Sequence, residues 1–318
     1  MKTSATLFIS LMFWTACSAQ PSYRAQRTTR TVADTTVDQA AKEDRTTSMG
    51  SEKDQEPAPT QAPETKPETP AAPAVRSSQG SGGGTGMLEV PFTDSTGLAS
   101  SYKINAPADV GQKIYGFHIH LHGDGGGGYT DFPNKEARYD LIGVTVKAPN
   151  PNLQWGRAQG RAHARYVNEL IQNELVKKYN VNLDRIYFSG VSGGAYFLTG
   201  SLLPEFGQNY NSAALILCGG EAPRVAFTDP NMLSKFRVHI EVTAGERPDI
   251  LTSIQRSVTG YKTAMDAAGI PADQQSKLHT INIQGDGGHC VFDGAAQGSY
   301  TTGIQLAIDT KFKMILPP

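Results

Sequence analysis

The chain has 318 residues, long enough for two domains, yet only 38% of them are hydrophobic and these are unevenly spread. Its 29 basic and 30 acidic residues leave a net charge of −1 and interleave along the sequence, so no basic stripe marks it as a nucleic-acid binder. Beyond the N-terminal region the only cysteines are Cys218 and Cys290, without neighbouring histidine pairs, which argues against a structural zinc site.

The first element is Met1-Lys2 followed by an apolar stretch of about ten residues. That is too short to span a bilayer and reads as the core of a secretory signal over residues 1–17. Thr15 and Ala16 directly before Cys17 resemble a bacterial lipobox, in which Cys17 becomes the lipid-modified first residue and a membrane anchor. Trp14 departs from that pattern, where leucine is usual. The alternative is ordinary cleavage after Ala19, giving a soluble secreted protein. Either way the protein is exported, as a lipoprotein of the periplasm or cell surface or as a free protein. No later segment is long and apolar enough to cross a membrane.

Residues 18–86 have almost no apolar periodicity, turn Pro-rich over Pro57–Pro73 and end in Gly80-Ser-Gly-Gly-Gly-Thr-Gly86. Such a segment buries too little surface to offset its ordering entropy and is expected to be a disordered tether. As a coil its ends would lie on the order of 45 Å apart. A variable leader without function is the alternative reading.

Residues 87–318 suit one α/β domain. Leu88–Phe92 and Ser101–Asn105 read as opening strands joined by a turn near Asp94–Gly97, followed by strands at Ile114–His120 and Leu141–Val146. Ala162–Tyr179 has helical spacing, Arg185–Ser189 is a strand, and Gly194–Leu203 is helix-compatible. Ala213–Leu217 and Val238–Val242 are buried-type strands. Ile250–Ala268 is a helix stopped at Gly269-Ile-Pro271, Leu278–Ile283 the last strand and Gln297–Phe312 the last helix. Strands alternating with crossover helices predict a mostly parallel sheet with helices on both faces, and a site at the carboxyl ends of its strands.

The polar motifs fall at those ends. Gly190-Val-Ser192-Gly-Gly194 lies between strand and helix, the order a nucleophile elbow needs. In a chain with 33 glycines the pattern alone is unspecific, and its context carries the reading. His120-Leu-His122-Gly123-Asp124-Gly125 leads into further glycines and offers backbone N–H groups as an oxyanion hole, with Asp124 and Gly193 as the two donors. It has no dinucleotide or P-loop pattern, which argues against phosphate binding. His122 is expected to shape that loop.

Gln284-Gly-Asp286-Gly287-Gly288-His289-Cys290 puts His289 in a loop after the last strand, as general base and acid. The acid should follow Val238–Val242, where Asp249 is preferred as able to cap the next helix and Glu246 is the alternative. Arg247 is expected to pair with one of these carboxylates. Trp155 and Tyr129 are candidate pocket residues, with ordinary packing as the alternative, and Tyr196 reads as core. Cys218 and Cys290 fall at one sheet edge, where a disulfide would pin the histidine loop in an oxidising compartment.

The stretch Asn182-Leu-Asp184-Arg185-Ile-Tyr-Phe-Ser-Gly190-Val-Ser192-Gly-Gly194 resembles the elbow region of secreted α/β-hydrolases of the poly(3-hydroxybutyrate) depolymerase, feruloyl esterase and acetylxylan esterase group. The His122-Gly123 step, the loop carrying Trp155, and Gly287-Gly288-His289 match that group in order, from about Ile114 to the end. The resemblance implies an α/β-hydrolase fold and a serine esterase that works through an acyl-enzyme, without cofactor, on a small or polymeric ester. Gly193 replaces a common alanine, Cys290 stands where an aromatic often follows, and the acid lies one position late. A serine peptidase or amidase on the same fold, and a non-catalytic surface binding lipoprotein, are the other readings.

Overall fold

The apolar runs pair into a single eight-stranded sheet built from β1 (Gly86–Thr93), β2 (Ala99–Ala106), β3 (Tyr115–Leu121), β4 (Leu141–Val146), β5 (Val181–Val191), β6 (Ala213–Leu217), β7 (Arg237–Thr243) and β8 (His279–Gln284). This computed structural model describes residues 75–126, 136–284, 287–292 and 308–317. The signal segment with Cys17, residues 18–74 of the expected tether, Tyr129 and most of the helix expected over Gln297–Phe312 lie outside them.

The strand order is β1-β2-β4-β3-β5-β6-β7-β8. The hairpin β1–β2 and the pair β2–β4 are antiparallel, and every other pair is parallel. The hairpin turn is closed by Asp94, whose carboxylate accepts the N–H groups of Thr96 and Leu98. Strands β3 and β4 are buried along their whole length, as parallel strands covered on both faces must be.

Alternation sorts the side chains. Phe117, Ile119 and Leu121 of β3 join Ile186, Phe188, Ile216 and Ile240 in one large core, while Tyr187, Leu215 and Leu217 join Phe312 and Ile315 in a smaller one. Against the first pack α1 (Gly160–Glu169), which continues through a π-helical stretch Leu170–Leu175 into α2 (Val176–Lys178), and α3 (Gly193–Phe197), which continues through Leu198–Leu202 into α4 (Leu203–Phe206). Helix α5 (Pro248–Ala267) contributes Ile250, Ile254, Tyr261 and Met265. The expected stop at Gly269 is there, with φ +70°, but Pro271 then opens a further short helix, α6 (Ala272–Leu278). Its polar face hid it from periodicity.

Part of the expected tether is built into the fold. Arg76 pairs with Asp184, Ser77 bridges to Asn182, the Ser78 N–H donates to the Val181 carbonyl, and Gly83 lies against the Tyr179 ring. These contacts are polar or backbone, so composition gives no sign of them.

Candidate active site

Strand β5 ends in a sharp turn at Ser192, with φ 48° and ψ −114°, a conformation non-glycine residues rarely adopt and which costs on the order of 1–3 kcal/mol. The turn is held by the Ser192 N–H donating to the Leu217 carbonyl at 3.0 Å, and by the Tyr196 N–H donating to the Ser192 carbonyl at 3.0 Å. It fits only because its flanks are glycines. A Cβ on Gly190 would lie 2.7 Å from the Gly194 carbonyl oxygen, and one on Gly194 would strike the Leu121 carbonyl oxygen. The serine is thereby lifted out of the ladder at the carboxyl end of the sheet.

His289 reaches the same point from the loop after β8. Its Nε2 lies 2.9 Å from the Ser192 Oγ. On the other side, its Nδ1 lies 2.9 and 2.8 Å from the two carboxylate oxygens of Glu246. An ionised carboxylate only accepts, so Nδ1 carries the proton and Nε2 presents its lone pair to the serine. The Glu246 side chain is fully buried, and the Arg247 N–H donates to it at 2.8 Å. The imidazole loop is anchored by the Thr243 hydroxyl donating to the Gly288 carbonyl at 3.0 Å.

Asp249, the preferred acid on sequence grounds, is not at this imidazole. Glu246 is. The turn after β7, closed by the Glu246 N–H on the Thr243 carbonyl, swings residue 246 back over the sheet edge. Asp249 sits in the first turn of α5 facing solvent, in a bidentate pair with Arg247 that holds its carboxyl below the usual carboxylate range. Arg247 is thus the carboxylate partner expected of it.

The His122–Asp124 loop closes the opposite wall. His122 Nε2 accepts the Ala148 N–H at 2.9 Å, so its Nδ1 is protonated and donates to the Gly123 carbonyl; burial holds its pKa below the ordinary value. It shapes the loop, as expected. The Asp124 carboxylate accepts the Trp155 N–H at 3.0 Å and fills the space where a Cβ on Gly193 would stand. That contact gives a physical reason for glycine at this position. Trp155 is 3% exposed, donates from Nε1 to the His122 carbonyl at 2.8 Å and stacks on Phe197 at 4.6 Å.

A cleft of about 390 Å³ opens over these groups, lined by Asp124, Trp155, Ser192 and Gly193. Among the lining residues that sequence reading did not assign to the site are Arg157 and Tyr196. Tyr196 was expected in the core, but it stands one helical turn after Ser192 and is half-buried, with the Arg157 guanidinium 5.6 Å from its ring centre. Its place at Ser192+4 on α3 was the available signal.

No protein-family model matches the chain, and no curated protein matches it in sequence. Among solved structures, a thermostable esterase superposes with a TM-score of 0.50 at 19% identity, over 71% of this chain and 62% of that one. The feruloyl esterase module from Clostridium thermocellum gives 0.49 at 13% identity, over 72% and 87%. An acylaminoacyl peptidase gives 0.48 at 13%, over 72% and 41%. The chain spans less than two thirds of the first of these. It has an α/β-hydrolase fold. At such identities the likeness extends to the fold alone.

Within that α/β-hydrolase fold, Cys218 and Cys290 are joined in a disulfide with Cα atoms 5.2 Å apart. Both are fully buried. Cys218 follows Leu217, which receives the Ser192 N–H, and Cys290 follows His289. The bridge ties the shoulder of the elbow to the histidine loop.

Proposed function

We propose that the chain is a serine hydrolase that cleaves carboxylic esters through an acyl-enzyme. The observation that carries this reading is the unbroken chain Ser192 Oγ to His289 to Glu246, ending in a strained elbow that opens into a cleft. Ser192 Oγ attacks the ester carbonyl carbon while His289 Nε2 takes its proton. The negative charge on the carbonyl oxygen is met by the backbone N–H of Gly193, first residue of α3, and by that of Asp124. Collapse breaks the carbon–oxygen bond, and Nε2–H delivers its proton to the departing alcohol. Water then gives a proton to Nε2 and attacks the acyl carbon; the bond to Ser192 Oγ breaks, Oγ takes the proton back from Nε2, and the acid is freed. Glu246 keeps the imidazole in the required tautomer and stabilises the imidazolium, without taking the proton itself.

Export belongs to the same proposal, with either a lipid on Cys17 or cleavage after Ala19. The Cys218–Cys290 disulfide supports it, because such bridges persist in oxidising compartments. Preference for esters over amides rests on the resemblance described from the sequence.

A fluorophosphonate probe applied to the full chain, beside Ser192→Ala and His289→Ala, tests the reading. Labelling should require both residues, and Ser192→Ala should lose at least about a thousandfold in turnover of aryl acetates. Aryl esters run against p-nitroanilide peptides decide between esterase and peptidase. A folded wild-type protein that takes no label would overturn the proposal in favour of a binding role.

A further inference from the structure

We propose that the ester cleaved at Ser192 carries a carboxylate, and that Arg157 binds it over the Tyr196 ring; this rests on the reading of Ser192 as nucleophile. The cleft is lined by three guanidinium groups, those of Arg157, Arg224 and Arg247. Arg247 is matched by Asp249 and Arg224 by Glu221. Arg157 has no carboxylate within ion-pair distance among the described residues. Its cation instead lies 5.6 Å from the ring centre of Tyr196, whose phenol burial keeps neutral by raising its pKa.

The Arg157 side chain is exposed, and it is positioned by the anchored backbone that carries it and by the Tyr196 ring. Arg157 opens the tight turn Arg157–Gln159 that leads into α1, and its carbonyl accepts the Arg224 Nη1 at 3.0 Å. Tyr196 in turn sits on the first turn of α3, which sets its ring one helical turn from the nucleophile, with the guanidinium 5.6 Å from the ring centre. The two lining carboxylates do not neutralise it. Asp249 is engaged by Arg247, and Asp124, though exposed, has one carboxylate oxygen taken up by the Trp155 N–H and lies against Gly193. A planar carboxylate suits the guanidinium fork, which can donate to both its oxygens, and the Tyr196 ring offers an apolar face to the rest of the substrate.

The test uses two pairs of aryl esters on the full-length protein. One pair sets mono-p-nitrophenyl glutarate against p-nitrophenyl pentanoate, placing the carboxylate on the acyl side. The other sets 4-acetoxybenzoate against phenyl acetate, placing it on the alcohol side. In at least one pair kcat/KM for the anionic member, at low salt, should exceed its neutral partner by about tenfold. That ratio should fall toward one at about 1 M salt, where the screening length drops to ~3 Å.

Arg157→Met should collapse the ratio and Arg157→Lys keep part of it. Lys177→Met, on an exposed residue of α2, removes the same charge elsewhere and should leave the ratio as in wild type. Anionic members no better than neutral ones in both pairs, or a ratio untouched in Arg157→Met, would overturn the proposal. Failure of the underlying reading looks different: none of the four esters would turn over and the fluorophosphonate would not label.

Discussion

Two serine–histidine–glutamate arrangements occur among the described residues, and they differ in what surrounds them. At the strand edge, Ser192 Oγ lies 2.9 Å from His289 Nε2, and His289 Nδ1 2.8 Å from Glu246. Inside the sheet, Ser189 Oγ lies 2.6 Å from His118 Nε2, and His118 Nδ1 3.1 Å from Glu136. The distances are alike. The chemistry is not.

Ser189 is mid-strand, in register with His120 of β3, so its backbone groups belong to the ladder and cannot receive an oxyanion. Its hydroxyl is also met by His120 Nδ1 at 2.7 Å, which leaves the oxygen donating to one ring and accepting from the other. Ser189, His118 and His120 are all fully buried, and burial drives the His120 pKa well below its ordinary value. A nucleophile needs a way in, a free lone pair and nearby N–H donors. Ser192 has these because the elbow takes it out of the sheet.

The sharpest way to break this contrast is to treat the two glutamates alike. Glu246→Gln should lower kcat by about a hundredfold to ten-thousandfold, since the amide can hold the wrong imidazole tautomer. Glu136→Gln should cost about 1–3 kcal/mol of stability through its buried network while kcat stays within a few-fold. Asp249→Asn, on the exposed pair with Arg247, should cost far less turnover than Glu246→Gln. Equal loss of kcat in Glu136→Gln and Glu246→Gln would mean the two sets are not functionally distinct.

The disulfide sharpens the same comparison because it touches only one set. It closes a loop with sequence separation 72 and adjoins His289. Replacing Cys218 and Cys290 by serine should cost about 2–4 kcal/mol in urea unfolding. At temperatures well below the midpoint, kcat should also fall, because the loop that aims His289 loses its tie to β6. Full kcat in the folded double variant would reduce the bridge to a staple.

How much of this was legible follows from how local each signal is. Ser192 and His289 were readable because an elbow and a glycine-rich loop announce themselves within a few residues, β6 because its apolar run is uninterrupted, and β4 because it is rich in β-branched residues. Glu246 and Asp249 lie in one short segment, and only the hydrogen-bonded turn at Thr243 decides which carboxylate swings inward. Arg157 and Tyr196 carry no motif, because their meeting depends on how two helices approach. The Ser189 set was invisible for a similar reason: His118 and His120 looked like strand residues, which they are, and only the register that pairs His120 with Ser189 and His118 with Tyr187 brings both rings to that hydroxyl.

The smallest expected effect separates the histidine that works from those that pack. His163 and His279 are pushed down to about 4 by burial, against an ordinary value of 6.5. A folded-state pKa below the unfolded one means the folded form binds protons less readily. Stability is therefore fully present above about pH 6.5 and is lost as pH falls toward about 4, at up to about 1.4 kcal/mol per pH unit for each histidine. Asp94 and Asp184, whose carboxyls are held below their ordinary value of 3.8, add their losses only at lower pH. Urea midpoints at pH 7.5, 5.5 and 4.5 should fall steadily, and His163→Gln should flatten the slope. A midpoint constant over that range would mean these rings are not the buried neutral groups their packing requires. His163 packs edge-on to Trp155 at 6.1 Å, so its protonation would disturb the cleft floor as well, and activity should begin to fall before the molecule unfolds.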